Sequence, residues 1–155
     1  MIARRAFLLG TATLAALPLA ASAAEGAFPF APSDAEWRAR LTENQFLILR
    51  EHQTERAGTS ALLSEHRAGT FACAGWGQAL FSSQAKYDSN TGWPSFWQPL
   101  PGAVGEAPDT SYGMTRTEVH CANCGGHLGH VFPDGPEPTG MRYCINGLAL
   151  AFAPA

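Results

Sequence analysis

Beyond Gly58 the chain is cut into short apolar runs by glycine, proline and serine, and this punctuation most restricts what it can fold into. The runs are Thr70–Cys73, Gln78–Ser82, Glu118–Cys121, Leu128–Phe132, Met141–Ile145 and Leu148–Phe152, four or five residues each. A helix in a folded domain needs roughly ten residues or more, so runs of this length between turn formers read as strands. Their spacing predicts a mainly β domain of antiparallel sheets with long loops. The stretch Gln98–Ser111 carries much of the proline and glycine and reads as an exposed loop. Only the segment before Gly58 has helical character. Ser33-Asp34-Ala35-Glu36 forms a capping box ahead of a short helix to about Leu41, and Thr42-Glu43-Asn44-Gln45 repeats the device ahead of one to about Glu51. The expected fold class is therefore mainly β, an antiparallel domain preceded by short N-terminal helices.

The first two dozen residues have a different pattern. Arg4-Arg5 precedes an apolar run to Ala20, and Ala21-Ser22-Ala23 follows as a small-x-small cleavage pattern. This is the layout of a secretory signal, and its apolar part is too short to span a bilayer comfortably. The paired arginines point to the twin-arginine route and delivery to the periplasm. Residues 1–23 are thus expected to be a cleaved signal, 24–32 a leader and 33–155 the domain. Loss of the signal leaves eight basic and thirteen acidic side chains, a formal charge of −5. With no basic run left, nucleic acid is an unsuitable partner.

Four cysteines must then survive an oxidising compartment: Cys73, Cys121, Cys124 and Cys144. Cys121-Ala122-Asn123-Cys124-Gly125-Gly126 has the shape of half a zinc site. Cys73-Ala74-Gly75-Trp76 looks like the other half with its second cysteine replaced by Trp76, which cannot bind zinc as a thiolate does. Three ligands, Cys73, Cys121 and Cys124, leave a structural zinc incomplete. The other reading is a disulfide from Cys73 to Cys121 or Cys124, which would close a loop of roughly fifty residues and contribute about 4 kcal/mol in the chain-entropy model.

Cys144 lies in Arg142-Tyr143-Cys144-Ile145-Asn146. On a strand, Arg142, Cys144 and Asn146 share one face. A polar outer face of an edge strand would account for this unless other chemistry converges on it. Three stretches could supply that chemistry. His127-Leu128-Gly129-His130 offers two imidazoles, as ligands or as acid and base beside a thiolate. Asn90-Thr91-Gly92-Trp93-Pro94-Ser95-Phe96-Trp97 offers an aromatic wall at a tight bend. Asp134-Gly135-Pro136 places a carboxylate near the histidines in sequence.

Taken in order, "TER" at 54–56, "LFSSQAKYDS" at 80–89, "GWPSF" at 92–96, "SYGMTRTEVHC" at 111–121, "HLGHVFPDGP" at 127–136 and "PTGMRYCING" at 138–147 resemble the B-type methionine sulfoxide reductases over about residues 33–152. The resemblance implies a fold of two antiparallel β-sheets with short N-terminal helices, in agreement with the strand and helix pattern. It implies that Cys144 is a nucleophile that attacks the sulfur of methionine-R-sulfoxide and becomes a sulfenic acid. It makes His127 and His130 the candidates for proton donation and oxygen binding, with Asp134 and Asn146 positioning them or a water. Arg142 would favour the thiolate, and Trp93 and Phe132 would bind substrate, Trp93 holding the methyl group on sulfur.

Two departures stand out: Thr91 occupies the place of a recycling cysteine in many relatives, and Trp76 that of a metal ligand. Recycling by an external small thiol or a thioredoxin-like reductase is therefore expected. No cofactor is required for catalysis, and the enzyme should work as a monomer on oxidised peptide or protein methionine. The competing functions are a zinc-binding module without catalysis, and a thiol–disulfide oxidoreductase using Cys121 and Cys124. An intact Cys144 stretch beside a broken metal site disfavours the first, and the lack of a βαβ context disfavours the second.

Overall fold

The computed structural model describes residues 28–155; the signal, its cleavage site and residues 24–27 of the leader lie outside them. Two helices open the domain, α1 (Asp34–Arg40) and α2 (Glu43–Glu51). Both capping boxes form: Glu36 N–H meets the Ser33 hydroxyl and Gln45 N–H that of Thr42, while each acceptor side chain returns to the cap backbone. Helix α2 ends at His52, which adopts a left-handed conformation with φ of 54°. Among the described residues no helix is long and apolar enough to cross a membrane.

Nine strands follow: β1 (Gly69–Cys73), β2 (Ala79–Ser82), β3 (Lys86–Tyr87), β4 (Ser95–Phe96), β5 (Val104–Asp109), β6 (Arg116–Cys121), β7 (His127–Phe132), β8 (Arg142–Ile145) and β9 (Leu150–Pro154). They make two antiparallel sheets, a small one in the order β2-β1-β9 and a larger one in the order β3-β4-β8-β7-β6-β5. Buried aromatic rings join them. Phe81 of the small sheet stacks on Phe96 of the large one at 4.3 Å, and Phe71 meets Phe96 edge-on at 5.0 Å. Each of these rings is fully buried, worth roughly 1.5–3 kcal/mol of transfer free energy apiece. Trp37, Phe46 and Leu49 of the helices are equally buried and extend the same core.

The stretch Gln98–Ser111 is not all loop, because β5 runs through it as the outer strand of the large sheet. An edge strand tolerates Pro108, whose missing N–H costs no ladder bond on the open side. Its half-exposed alternation carries little apolar signal.

The sheet also settles how His127 and His130 relate. Three apart on a regular strand, they would face opposite sides. The β6–β7 register shifts between Val119 and His120, so that β7 carries an extra residue there. This bulge turns both imidazoles toward one another, with ring centroids 5.4 Å apart.

Candidate active site

Cys144 lies on β8 between Ser95 of β4 and His130 of β7, its register partners on either side. Directly opposed residues in antiparallel strands share a face, so His130 and Cys144 point the same way. The two strands approach closely here, and a Cβ at position 129 would collide with the Cys144 carbonyl oxygen. Gly129 is therefore a steric requirement of the Cys144–His130 pairing.

A slot of about 120 Å³ opens over the sulfur, lined by Thr54, Trp93, Arg116, His130, Phe132 and Asn146 beside Cys144. The bend Thr91–Pro94 delivers Trp93 to it. Gly92 has φ of 93°, and a side chain there would press into Ala57 at 2.8 Å, so the bend depends on glycine. The Trp93 indole N–H donates to the Glu55 carbonyl at 3.1 Å, which fixes the ring. Glu55 itself is buried and accepts from the backbone N–H groups of Gly147 and Leu148, tying the "TER" segment to the end of β8. Thr91 Oγ1 lies 3.7 Å from Cys144 Sγ and is linked through Ser89 Oγ (2.8 Å) to Ser95 Oγ (2.7 Å).

The carboxylates beside the histidines are not the one expected. Asp134 makes a bidentate pair with Arg142, at 2.8 Å on each branch, and Arg142 lies 4.4 Å over the Phe132 ring. That pair, before the influence of the Cys144 sulfur, pushes Arg142 further up as a base. Asn146 is buried and spends both ends of its amide on backbone: it accepts from Glu55 N–H and donates to the Leu128 carbonyl, each at 3.0 Å. It braces the slot and contacts neither imidazole by hydrogen bond.

Instead, His130 Nε2 bonds Asp109 Oδ2 at 2.7 Å, and His127 Nδ1 bonds Glu118 Oε1 at 2.7 Å. A carboxylate accepts only, so the imidazoles donate in both pairs. Asp109 is held well below the ordinary carboxylate range by hydrogen bonds from Ser111 and His130, with Arg116 at 2.6 Å adding its charge. Glu118 is held low by His127 first and His52 second. Burial outweighs Asp109 and pulls His130 down as a base. His127 is buried, and its Nε2 has no partner among protein atoms.

Glu118 and Arg116 stand in the "SYGMTRTEVHC" stretch without having drawn notice. Their signal was the pairing of β6 with β7, which puts Glu118 opposite His130. Asp109 was hidden by the loop reading of its segment. A second, larger groove of about 920 Å³ shares Thr54, Arg116 and His130 with the slot and runs past His52, Glu118 and His127 to Tyr112. It holds no sulfur; Cys144 lies in the smaller cavity.

The other three cysteines lie elsewhere in the core. Their sulfurs all fall within 4.8 Å of one another, and Cys73 Sγ is 3.7 Å from Cys124 Sγ. A disulfide would bring two sulfurs to about 2.05 Å. The structure instead holds three free thiols in mutual contact. Cys73 is pushed up as an acid by its contacts with Cys121 and Cys124, while Cys121 is held down by those with Cys124 and Cys73. Three sulfurs supply three corners of a zinc tetrahedron. Trp76 does not supply the fourth: its half-exposed ring stacks on Phe30 at 3.6 Å. Among the described residues, the other polar group that contacts the cluster is Gln78 Oε1, 3.9 Å from Cys121 Sγ. These residues do not complete a structural zinc site.

The SelR domain family model matches residues 41–154. A peptide methionine sulfoxide reductase MsrB from Agrobacterium fabrum is 55% identical over 123 residues, 79% of this chain and 91% of that protein. One from Thiobacillus denitrificans is 56% identical over 79% of this chain and 93% of its own length. One from Leifsonia xyli subsp. xyli is 54% identical over 134 residues, 85% of this chain and 96% of that protein. With the matched region containing both sheets, the Cys144 slot and the two imidazole–carboxylate pairs, the chain belongs to the SelR-domain family of MsrB methionine sulfoxide reductases.

Proposed function

We propose that the protein reduces methionine-R-sulfoxide in peptides and proteins, with Cys144 as nucleophile. The observation that carries this reading is the placement of a half-buried thiol opposite an imidazole at the floor of a slot with an indole wall. The names of the relatives support the activity.

The chemistry follows from the donors on the page. A sulfoxide sulfur yields to a thiolate only if its oxygen gains a proton. His130, neutral and with Nε2–H spent on Asp109, has Nδ1 free to take the Cys144 proton and return it to the sulfoxide oxygen. Asp109 stabilises the imidazolium formed in between. The Cys144 sulfur attacks the substrate sulfur and forms an S–S bond; the protonated oxygen then passes to the Cys144 sulfur as the substrate S–O bond and that S–S bond break, which leaves a sulfenic acid and releases the thioether. His127, whose Nδ1–H is spent on Glu118, has an unpartnered Nε2 that can accept from a water or from the protonated oxygen. Trp93, with Phe132, receives the methyl group, so only one epimer places its oxygen among the imidazoles. Arg142, fixed by Asp134, contributes positive charge beside the nascent thiolate. No metal takes a role in these steps, and a thiol or a thioredoxin-like partner returns the sulfenic acid to thiol. Export by the twin-arginine route to the periplasm, and action there as a monomer, complete the proposal; the pattern of residues 1–23 supports the export.

The test is turnover of each epimer of a blocked methionine sulfoxide by the wild type and Cys144→Ser. The expected result is consumption of the R epimer alone, lost in the variant while the fold is kept. Equal turnover of both epimers, or an active serine variant, would contradict the reading.

A further inference from the structure

Besides the cysteine cluster, a second group of metal-type donors stands on the wall of the large groove. His52 Nδ1, His127 Nδ1 and one oxygen of Glu118 all lie within 4.8 Å of one another. Glu118 Oε1 is 3.1 Å from His52 and 2.7 Å from His127, and the two rings lie 5.0 Å apart, tilted by 31°. We propose that His52, Glu118 and His127 form a binding site for a divalent transition-metal ion, and that occupancy inhibits the reductase.

The donor set fits that class of ion. Two imidazole nitrogens and one carboxylate oxygen suit zinc, copper or nickel, whereas calcium and magnesium want oxygen alone. Ligand bonds of roughly 2.0–2.2 Å at a tetrahedral centre place neighbouring donors about 3.3 Å apart. Against the observed 2.7 and 3.1 Å, Glu118 must draw back about 0.6 Å from His127 and about 0.2 Å from His52, while the two ring nitrogens, within 4.8 Å of each other, close to that spacing. The side that must yield is free to do so: the His52 side chain is 59% exposed, at the end of α2, whereas that of His127 is 3% exposed and fixed on β7. The groove leaves the fourth position open to water or to a substrate group.

Binding would cost the enzyme its histidine. In the metal-free site His127 donates Nδ1–H to Glu118, and His52 Nδ1 lies 3.1 Å from the same oxygen. A metal takes those same nitrogens as acceptors, so the His127 proton must move to Nε2, the nitrogen proposed to meet the substrate oxygen or its water. The ion also takes the carboxylate that orients the ring. His52 has no part in the proposed chemistry, which makes it the residue to change. The nearby cations Arg50 and Arg116 oppose the ion, and Asp109, though paired, favours it.

The experiment compares wild type and His52→Ala. Both keep the cysteine cluster and Cys144, so zinc taken up by sulfur is common to the two. Calorimetric titration with Zn²⁺ is expected to show one more equivalent, or at least tenfold tighter binding of the last one, in the wild type. Single-turnover reduction of methionine-R-sulfoxide without added thiol is expected to need at least tenfold more Zn²⁺ for half inhibition in the variant, whose metal-free rate stays within about twofold of wild type. The inhibition rests on the reductase reading; the binding isotherm does not, so the two fail separately. Superimposable isotherms overturn the site. A missing equivalent with unchanged inhibition overturns the inhibitory role.

Discussion

The hydroxyl of Thr91 lies 3.7 Å from the sulfur of Cys144. The family resemblance places a recycling cysteine at this position, and a thiol here would lie in reach of Cys144. Here an oxidised Cys144 finds a hydroxyl, which cannot reduce it. The other cysteines are buried among themselves and do not line the slot. One equivalent of methionine-R-sulfoxide should therefore leave a trappable sulfenic acid on Cys144 and no bond from it to Cys73, Cys121 or Cys124. Thr91→Cys should convert that product to an intramolecular disulfide. Mass mapping of the cysteine linkages decides it, and rapid linkage of Cys144 to any of the three in the wild type would make that cysteine the resolving one.

His130→Ala should lower the rate of the chemical step by about 10²–10⁴-fold, the usual range for a lost general acid–base. Asp109→Asn leaves the imidazole in place but removes the charge that favours its protonated form. Its rate should fall less than that of His130→Ala, and the pH profile should move to lower pH on the limb set by His130. An effect of either change confined to KM would contradict these roles.

How much of this was legible in the sequence varies with the kind of signal. The helices announced themselves through side chains that cap their own backbone, at Ser33 and Thr42, an interaction contained within four residues. Six strands were visible because their apolar residues are bounded by turn formers. Strand β5 was not, since an edge strand with Pro108 and alternate exposed residues has no apolar run to read. The site divides the same way. Trp93, Cys144 and the histidines are chemically conspicuous. Asp109 and Glu118 are ordinary acids until strand pairing and the β7 bulge set them behind imidazoles. Asp134 looked close to the histidines in sequence, but a bidentate guanidinium two residues before Cys144 holds it instead.

Glu118→Gln should change the acid limb of stability. Glu118 is held below its ordinary value of 4.5 by His127 and His52. A carboxylate depressed on folding contributes stability that is present above its unfolded pKa and lost as pH falls through the folded one. Wild type should lose stability progressively below about pH 4.5, and the variant should show a shallower loss there. His52 works in the opposite sense: raised chiefly by its bond to Glu118, it contributes below its ordinary value of 6.5 and ceases to as pH rises through its raised folded value. Denaturant midpoints from pH 3 to pH 8 measure both limbs. Identical acid limbs in the two proteins would contradict the Glu118 assignment.

Replacing Arg4 and Arg5 by lysines should abolish export if the proposed twin-arginine route carries this protein. Fractionation of cells bearing each form shows the outcome, and a normally exported variant would indicate the general secretory route.

The last prediction separates the cysteine cluster from catalysis. Cys73, Cys121 and Cys124 are almost wholly buried, joining the β1 hairpin to the turn that leads into β7. Removing a buried sulfur leaves a small void and strips partners from the remaining two, so Cys121→Ala should destabilise the fold by about 1–3 kcal/mol. Turnover should change little at a temperature where the variant remains folded, because none of the three faces the slot. Urea unfolding and single-turnover rates on the same preparations distinguish these effects. A variant of full stability with reduced turnover would mean that the cluster, and not only Cys144, takes part in the reaction.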